Sequence, residues 1–245
     1  MWHHRPEGVA MNRQMRVTAR LEKGAGVAIV GHDQRSGGYE GMKRAALAGA
    51  LAALLVVQAG AVLAQAGCPT AADLARGIRI DFADGSFETF RDPGTGLVTV
   101  EGQDIEGYGY TMELGQGLHL VSYANMVDGV VDQGSRIDYD YGVALPDLPV
   151  PVAGGRWASP VVVRDMTGTR SEPQNHVWSE VTVIDIGGCS YDMIEALIAY
   201  KTDDGYRENV HYLPELGIGY LLWSESDTAA AFPIEAVRIS VVSKK

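Results

Sequence analysis

Apolar and polar residues alternate along most of this chain with a period of two, the spacing that sends successive side chains to opposite faces of a strand. Ile78, Ile80 and Phe82 alternate with Arg79 and Asp81, and Val98 and Val100 flank Thr99. Tyr108, Tyr110 and Met112 share one parity, Leu118 and Leu120 continue the pattern, and Ile137, Tyr139 and Tyr141 alternate with Asp138 and Asp140. Val177, Val181 and Val183 then oppose Trp178, Glu180 and Thr182. Ile194, Ala196, Ile198 and Tyr200 form one face, Ile218, Tyr220 and Leu222 another, and a last strand is expected over 234–242. Residues 192–199 could pass for a helix, but Gly187-Gly188 beside that apolar face favours a strand.

Turn chemistry separates these runs. Asp84-Gly85, Asp128-Gly129 and Asp204-Gly205 are hairpin signals, because type I′ turns need positive φ and Asp-Gly tolerates it. Asp92-Pro93-Gly94 and Gly115-Gln116-Gly117 act similarly. About ten to twelve short strands result. The expected fold is all-β: an antiparallel meander forming a barrel or a strongly curved half-barrel, with one short N-terminal helix over Thr70 to Arg76. The segment 145–155, with Pro146, Pro149 and Pro151, reads as an extended break within a single domain over 67–245.

One stretch breaks the alternation. Met42-Lys43-Arg44 opens a run of small apolar residues, Ala45 to Leu63, that closes on Ala64-Gln65-Ala66. A positive start, an apolar middle and an A-x-A end make an export signal over 42–66, removed after Ala66. The rival is a membrane anchor, since the run is nearly long enough to span a bilayer. Its Ala and Gly content, Gln58 and its small closing residues favour cleavage. Residues 1–41 show no sustained period and read as an untranslated upstream segment or a disordered one. Gly37-Gly38 can be encoded as a purine-rich ribosome-binding sequence ahead of a start at Met42. The product is expected to be periplasmic or secreted, and not an integral membrane protein after cleavage.

The segment after Ala66 holds 12 Lys and Arg against 27 Asp and Glu, a net charge of −15, whereas the whole chain carries −11. Such acidity argues against nucleic acid or anionic lipid as a partner. The chain's two cysteines, Cys68 and Cys189, both lie in this segment, and in an exported protein they are most simply one disulfide. It would close a loop of about 120 residues. The alternative is lipidation of Cys68, which would leave Cys189 unpaired.

Candidate chemistry is sparse. His119, His176 and His211 supply ingredients for a hydrolase, but there is no G-x-S-x-G elbow. No H-E-x-x-H or C-x-x-C pattern supports a metal, and no glycine-rich nucleotide loop is present, so no cofactor is expected. Asp138-Tyr139-Asp140-Tyr141-Gly142 starts like a calcium loop, yet Pro149 stands where the bidentate Glu belongs. Paired carboxylates for glycosidase work are plentiful but none stands out. The aromatics carry more information: amphipathic rings line ligand cavities as well as small β-cores. Tyr108, Tyr110, Tyr139, Tyr141, Trp178 and Trp223 are the candidate ligand-binding residues.

From Gly155-Arg156-Trp157 through Val181-Thr182-Val183 and Gly187-Gly188-Cys189-Ser190-Tyr191 to Tyr212-Leu213-Pro214-Glu215-Leu216-Gly217-Ile218-Gly219-Tyr220, the chain resembles exported bacterial β-proteins of the TapB-like group. The likeness covers about the last third, with a Y-x-P-x-x-G-hydrophobic hairpin and Cys189 where the pattern usually has Thr. It implies a curved antiparallel sheet and no assigned catalytic residue. The physics of the hairpin stands beside it: Pro214 cannot donate to a ladder, and Gly217 permits the turn before Ile218. These features lead to an exported, non-catalytic β-domain that binds an apolar ligand or an envelope protein. The alternatives are a secreted hydrolase acting on an extracellular polymer, through carboxylates, His119 or His211, and a structural envelope component.

Overall fold

The structure is a computed structural model, and it describes residues 67–243. The expected export signal at 42–66 and the segment 1–41 lie outside the described residues. Among the described residues sixteen strands follow one another. They are β1 (Ile78–Phe82), β2 (Phe87–Arg91), β3 (Leu97–Gln103), β4 (Gly109–Gly115), β5 (His119–Val127), β6 (Val130–Val131), β7 (Ile137–Asp140) and β8 (Arg156–Ser159). Then come β9 (Val162–Asp165), β10 (Gly168–Ser171), β11 (Gln174–Trp178), β12 (Thr182–Ile186), β13 (Cys189–Tyr200), β14 (Arg207–Leu213), β15 (Ile218–Glu225) and β16 (Ala236–Val241).

All described pairings are antiparallel, as the period-two pattern and tight turns require. A ten-stranded sheet runs β10-β9-β7-β5-β4-β3-β2-β1-β16, with β6 added to β5. A six-stranded sheet runs β15-β14-β13-β11-β8, with β12 added to β13. The meander does not close on itself: β10 and β16 remain free edges of the first sheet, so the architecture is two open sheets and not a closed barrel. The register shifts at Asp81/Phe82, Glu113/Leu114 and Asn209/Val210, and such bulges bend strands and increase twist.

The expected N-terminal helix is only a single 3-10 turn, Ala71–Ala75. The Asp73 carboxylate accepts from the Thr70 backbone N–H at 2.8 Å and its hydroxyl at 3.0 Å. Gly77, at φ 111°, then turns the chain into β1 before a second turn can form. The Pro-rich break becomes a 3-10 turn, Leu145–Asp147, and the loop that first carries the chain from one sheet to the other.

The main core joins the two sheets. Ile78, Ile80, Phe90, Val98, Val100 and Leu114 of the first sheet pack with Ile186, Tyr191, Met193, Leu213, Ile218 and Tyr220 of the second. Each fully buried side chain of this size contributes about 1.5–3 kcal/mol of hydrophobic stabilisation. Strand β13 serves two clusters: Cys189, Tyr191 and Met193 belong to the first, and Ile194, Ala196 and Ile198 to a second with Leu118, Trp178, Val210 and Tyr212. Its buried parity switches between Met193 and Ile194, where its partner changes from β12 to β14. Cys68 and Cys189 form a disulfide across 121 residues, and the Tyr191 hydroxyl donates to Pro69 O at 2.9 Å beside it. The Cys68 sulfur is therefore committed to Cys189. None of the described helices is long and apolar enough to cross a membrane.

Candidate ligand-binding site

The interior is not apolar throughout. His119 at the start of β5, Trp157 on β8 and His176 on β11 bring their rings together, with centroids 4.9 Å apart for His119–Trp157, 5.0 Å for Trp157–His176 and 5.2 Å for the two histidines. Tyr141, just beyond β7, closes the group at 5.6 Å from both His119 and Trp157. The strand register explains part of this, since His176 pairs with Trp157 on one side and Ile198 on the other.

Both imidazoles are buried and anchored through one nitrogen. His119 Nε2 lies 2.8 Å from Pro149 O, and His176 Nε2 lies 3.2 Å from Gln174 Oε1. A carbonyl oxygen can only accept, so in each ring Nε2–H donates and Nδ1 is left as an acceptor. Neither Nδ1 has a hydrogen-bond partner, and neither does the buried Trp178 Nε1 two residues from His176. Burial pushes His119 down, against a bond to Pro149 that favours protonation. Burial, with His119 as a smaller cause, pushes His176 down to about 3. At neutral pH the pair is uncharged, with two acceptors and one indole donor unmatched in an aromatic surround. Unmatched buried polar groups of this kind are costly.

A carboxyl group sits close by. Gln174 pairs with Tyr200 on β13, and the Tyr141 hydroxyl donates to Leu120 O at 3.1 Å. Tyr200 and Tyr206 both donate to Glu208, at 2.8 and 2.7 Å. Burial raises Glu208, although the two phenols favour its charged form. Burial also raises Glu172, which is offset by its ion partner Arg170. Tyr139 lies within the field of both carboxyls.

Of the expected ligand-binding residues, Tyr139 and Tyr141 share a cluster with Val161 and Val163 beside Trp157. Trp178 is buried in the second cluster. Tyr110 is elsewhere, donating to Glu88 at 2.8 Å. Tyr108 is exposed in the β3–β4 loop, not on a strand, and Trp223 is half-buried on β15 opposite Asn209. His211 bonds Tyr220 at 3.0 Å. Asp138 and Asp140 pair with Arg136 and Arg164, and no group of three metal-ligating side chains occurs among the described residues.

Trp157, Gln174, Tyr200, Tyr206 and Glu208 are not marked as binding residues by the sequence pattern, and His176 enters it only as one of three histidines. A signal existed on β11: Gln174, His176 and Trp178 share one parity and are all buried, while Asn175 and Val177 face out. The valines had pointed to the opposite face as the apolar one.

No family model matches the chain, and no curated protein matches it. Among solved structures it is similar to the hypothetical lipoprotein YmcC of Escherichia coli (K12), with a TM-score of 0.37 and 10% identity over 69% of this chain and 84% of that one. At that identity and score the likeness carries no argument about function, and nothing in it bears on the TapB-like group in particular.

Proposed function

We propose that this chain is an exported binding domain without a catalytic role of its own, and that its ligand is held at the His119–Trp157–His176 cluster. The observation that carries this reading is the pair of buried Nδ1 acceptors with no partner, walled by Tyr141 and Trp157. The ligand that fits is largely apolar and brings a hydrogen-bond donor, such as a hydroxyl. Export is supported by the 42–66 signal pattern and by the disulfide, which forms in oxidising compartments. Native mass spectrometry of the protein purified from its own cells is expected to show a small molecule that leaves on denaturation and is missing from His176→Phe. A protein that arrives empty and takes up nothing from its own lipid extract would overturn the reading.

A second reading, an exported hydrolase acting on an extracellular polymer, is favoured by one observation. Burial pushes the Glu88 carboxyl up to about 7, in the range where a carboxyl serves as general acid at neutral pH. Turnover of a polymer by the wild type, abolished in Glu88→Gln, would promote it.

A further inference from the structure

The meander places three hairpin turns at one end of the first sheet. In register, Phe87 lies opposite Gln103, Gln103 opposite Gly109, Gly109 opposite Met126, and Met126 opposite Val131. Neighbouring strands are about 4.8 Å apart, so the β1–β2, β3–β4 and β5–β6 turns project side by side. The β3–β4 turn and the flanks of the β5–β6 turn present large apolar side chains to solvent: Ile105 is 48% exposed, Tyr108 67%, Val127 60% and Val130 69%. Scattered exposed apolar residues need no explanation, but four on or beside adjoining turns form a patch.

The turns' own charges are all negative, while Arg79 and Arg238 stand at the β1–β2 end, Arg79 with its guanidinium over the Phe87 ring. Residues 80–87, 103–109 and 126–132 contain Asp81, Asp84, Asp104, Glu106, Asp128 and Asp132 and no Lys or Arg. Asp81 is matched by Arg79 and Arg238. Asp84, Asp104 and Asp132 use carboxylate oxygens to accept backbone N–H groups of their own turns, which holds the side chains in place. Just inside this end, opposite Gly102, the buried Glu88 accepts from Tyr110, whose ring stacks on Tyr123, and its Oε2 has no hydrogen-bond partner. Anionic lipid is disfavoured at such a surface, and a basic, apolar protein segment is matched by it.

We infer that the β1–β2, β3–β4 and β5–β6 turns form a docking surface for a partner protein that presents alternating basic and apolar side chains. The surface is separate from the interior cluster and does not depend on a ligand there. Carboxylates steer the encounter, and Tyr108 and Val130 provide the apolar contact.

The test uses a labelled synthetic peptide alternating lysine and leucine, its glutamate–leucine counterpart, and vesicles of phosphatidylcholine with phosphatidylglycerol. Anisotropy is expected to show binding of the lysine peptide alone, weakening as salt rises. Tyr108→Ser with Val130→Ser, and separately Glu106→Lys with Asp128→Lys, are expected to weaken binding about tenfold or more. These side chains are exposed, and circular dichroism checks that the fold is kept. Val183→Ser, on an exposed position of β12, is expected to leave binding unchanged. The inference is overturned by absent binding, by turn variants that bind like the wild type, or by vesicles that compete with the peptide.

Discussion

The Tyr110 hydroxyl reaches the buried Glu88 carboxyl across Gly102, at 2.8 Å. An added Cβ at Gly102 would lie 2.2 Å from Tyr110 Cζ, so the glycine is what lets the ring lie over β3. Glu88, Gly102 and Tyr110 occupy one register row on β2, β3 and β4.

Gly102→Ala is therefore expected to displace Tyr110 and break its bond to Glu88. Overpacking of this kind costs about 1–3 kcal/mol. A urea midpoint that falls in Gly102→Ala but not in Gly102→Ala with Tyr110→Ala would identify the ring as the cause. An equal fall in both would assign the loss to the backbone.

Glu88 gives the stability a pH dependence. Burial lifts its carboxyl from 4.5 to about 7, against the Tyr110 bond, so the folded chain keeps a proton that the unfolded chain has released. Its stabilising contribution is full below the unfolded value and is lost as pH rises through the folded one, a change of about 3 kcal/mol. Urea titrations across that window should show the wild type losing stability relative to Glu88→Gln. Parallel curves would refute the assignment.

The buried histidines act in the opposite direction. His176 is held at about 3, below the ordinary 6.5, so its contribution is present above 6.5 and is lost as pH falls toward 3. In proton NMR the His176 ring signals are expected to stay at their neutral positions down to about pH 4. A titration centred near 6.5 would mean that the ring is solvated.

The Cys68–Cys189 bond closes a 121-residue loop, for which chain entropy gives about 5 kcal/mol. Cys68→Ala with Cys189→Ala should lower the urea midpoint strongly, and reductant should lower the wild type to match. A midpoint indifferent to reductant would show that the bond does not hold the N-terminal segment to β13.

Local elements were legible because their causes are local. Asp128-Gly129 predicted a hairpin turn, and both residues take positive φ, 52° and 76°, between β5 and β6. Ile78, Ile80 and Phe82 all point into the core, and 192–199 is strand. Tyr139 and Tyr141 were legible as candidates through alternation alone. Their companions were not: Trp157 and Glu208 look like ordinary strand positions, and only pairing across β8, β11, β13 and β14 sets them near one another.

The amino-acid order alone settled that this is an antiparallel all-β chain with turns at its Asp-Gly pairs, because side-chain parity and φ preference are properties of a few neighbouring residues. Tertiary structure decided the rest: that the meander stays open as two sheets, that β13 turns a different face to each of two cores, and that His119 meets His176 although 57 positions separate them. Those outcomes depend on which distant strands pair and in what register, and the free energy of such pairing belongs to the assembled sheets and not to any one segment.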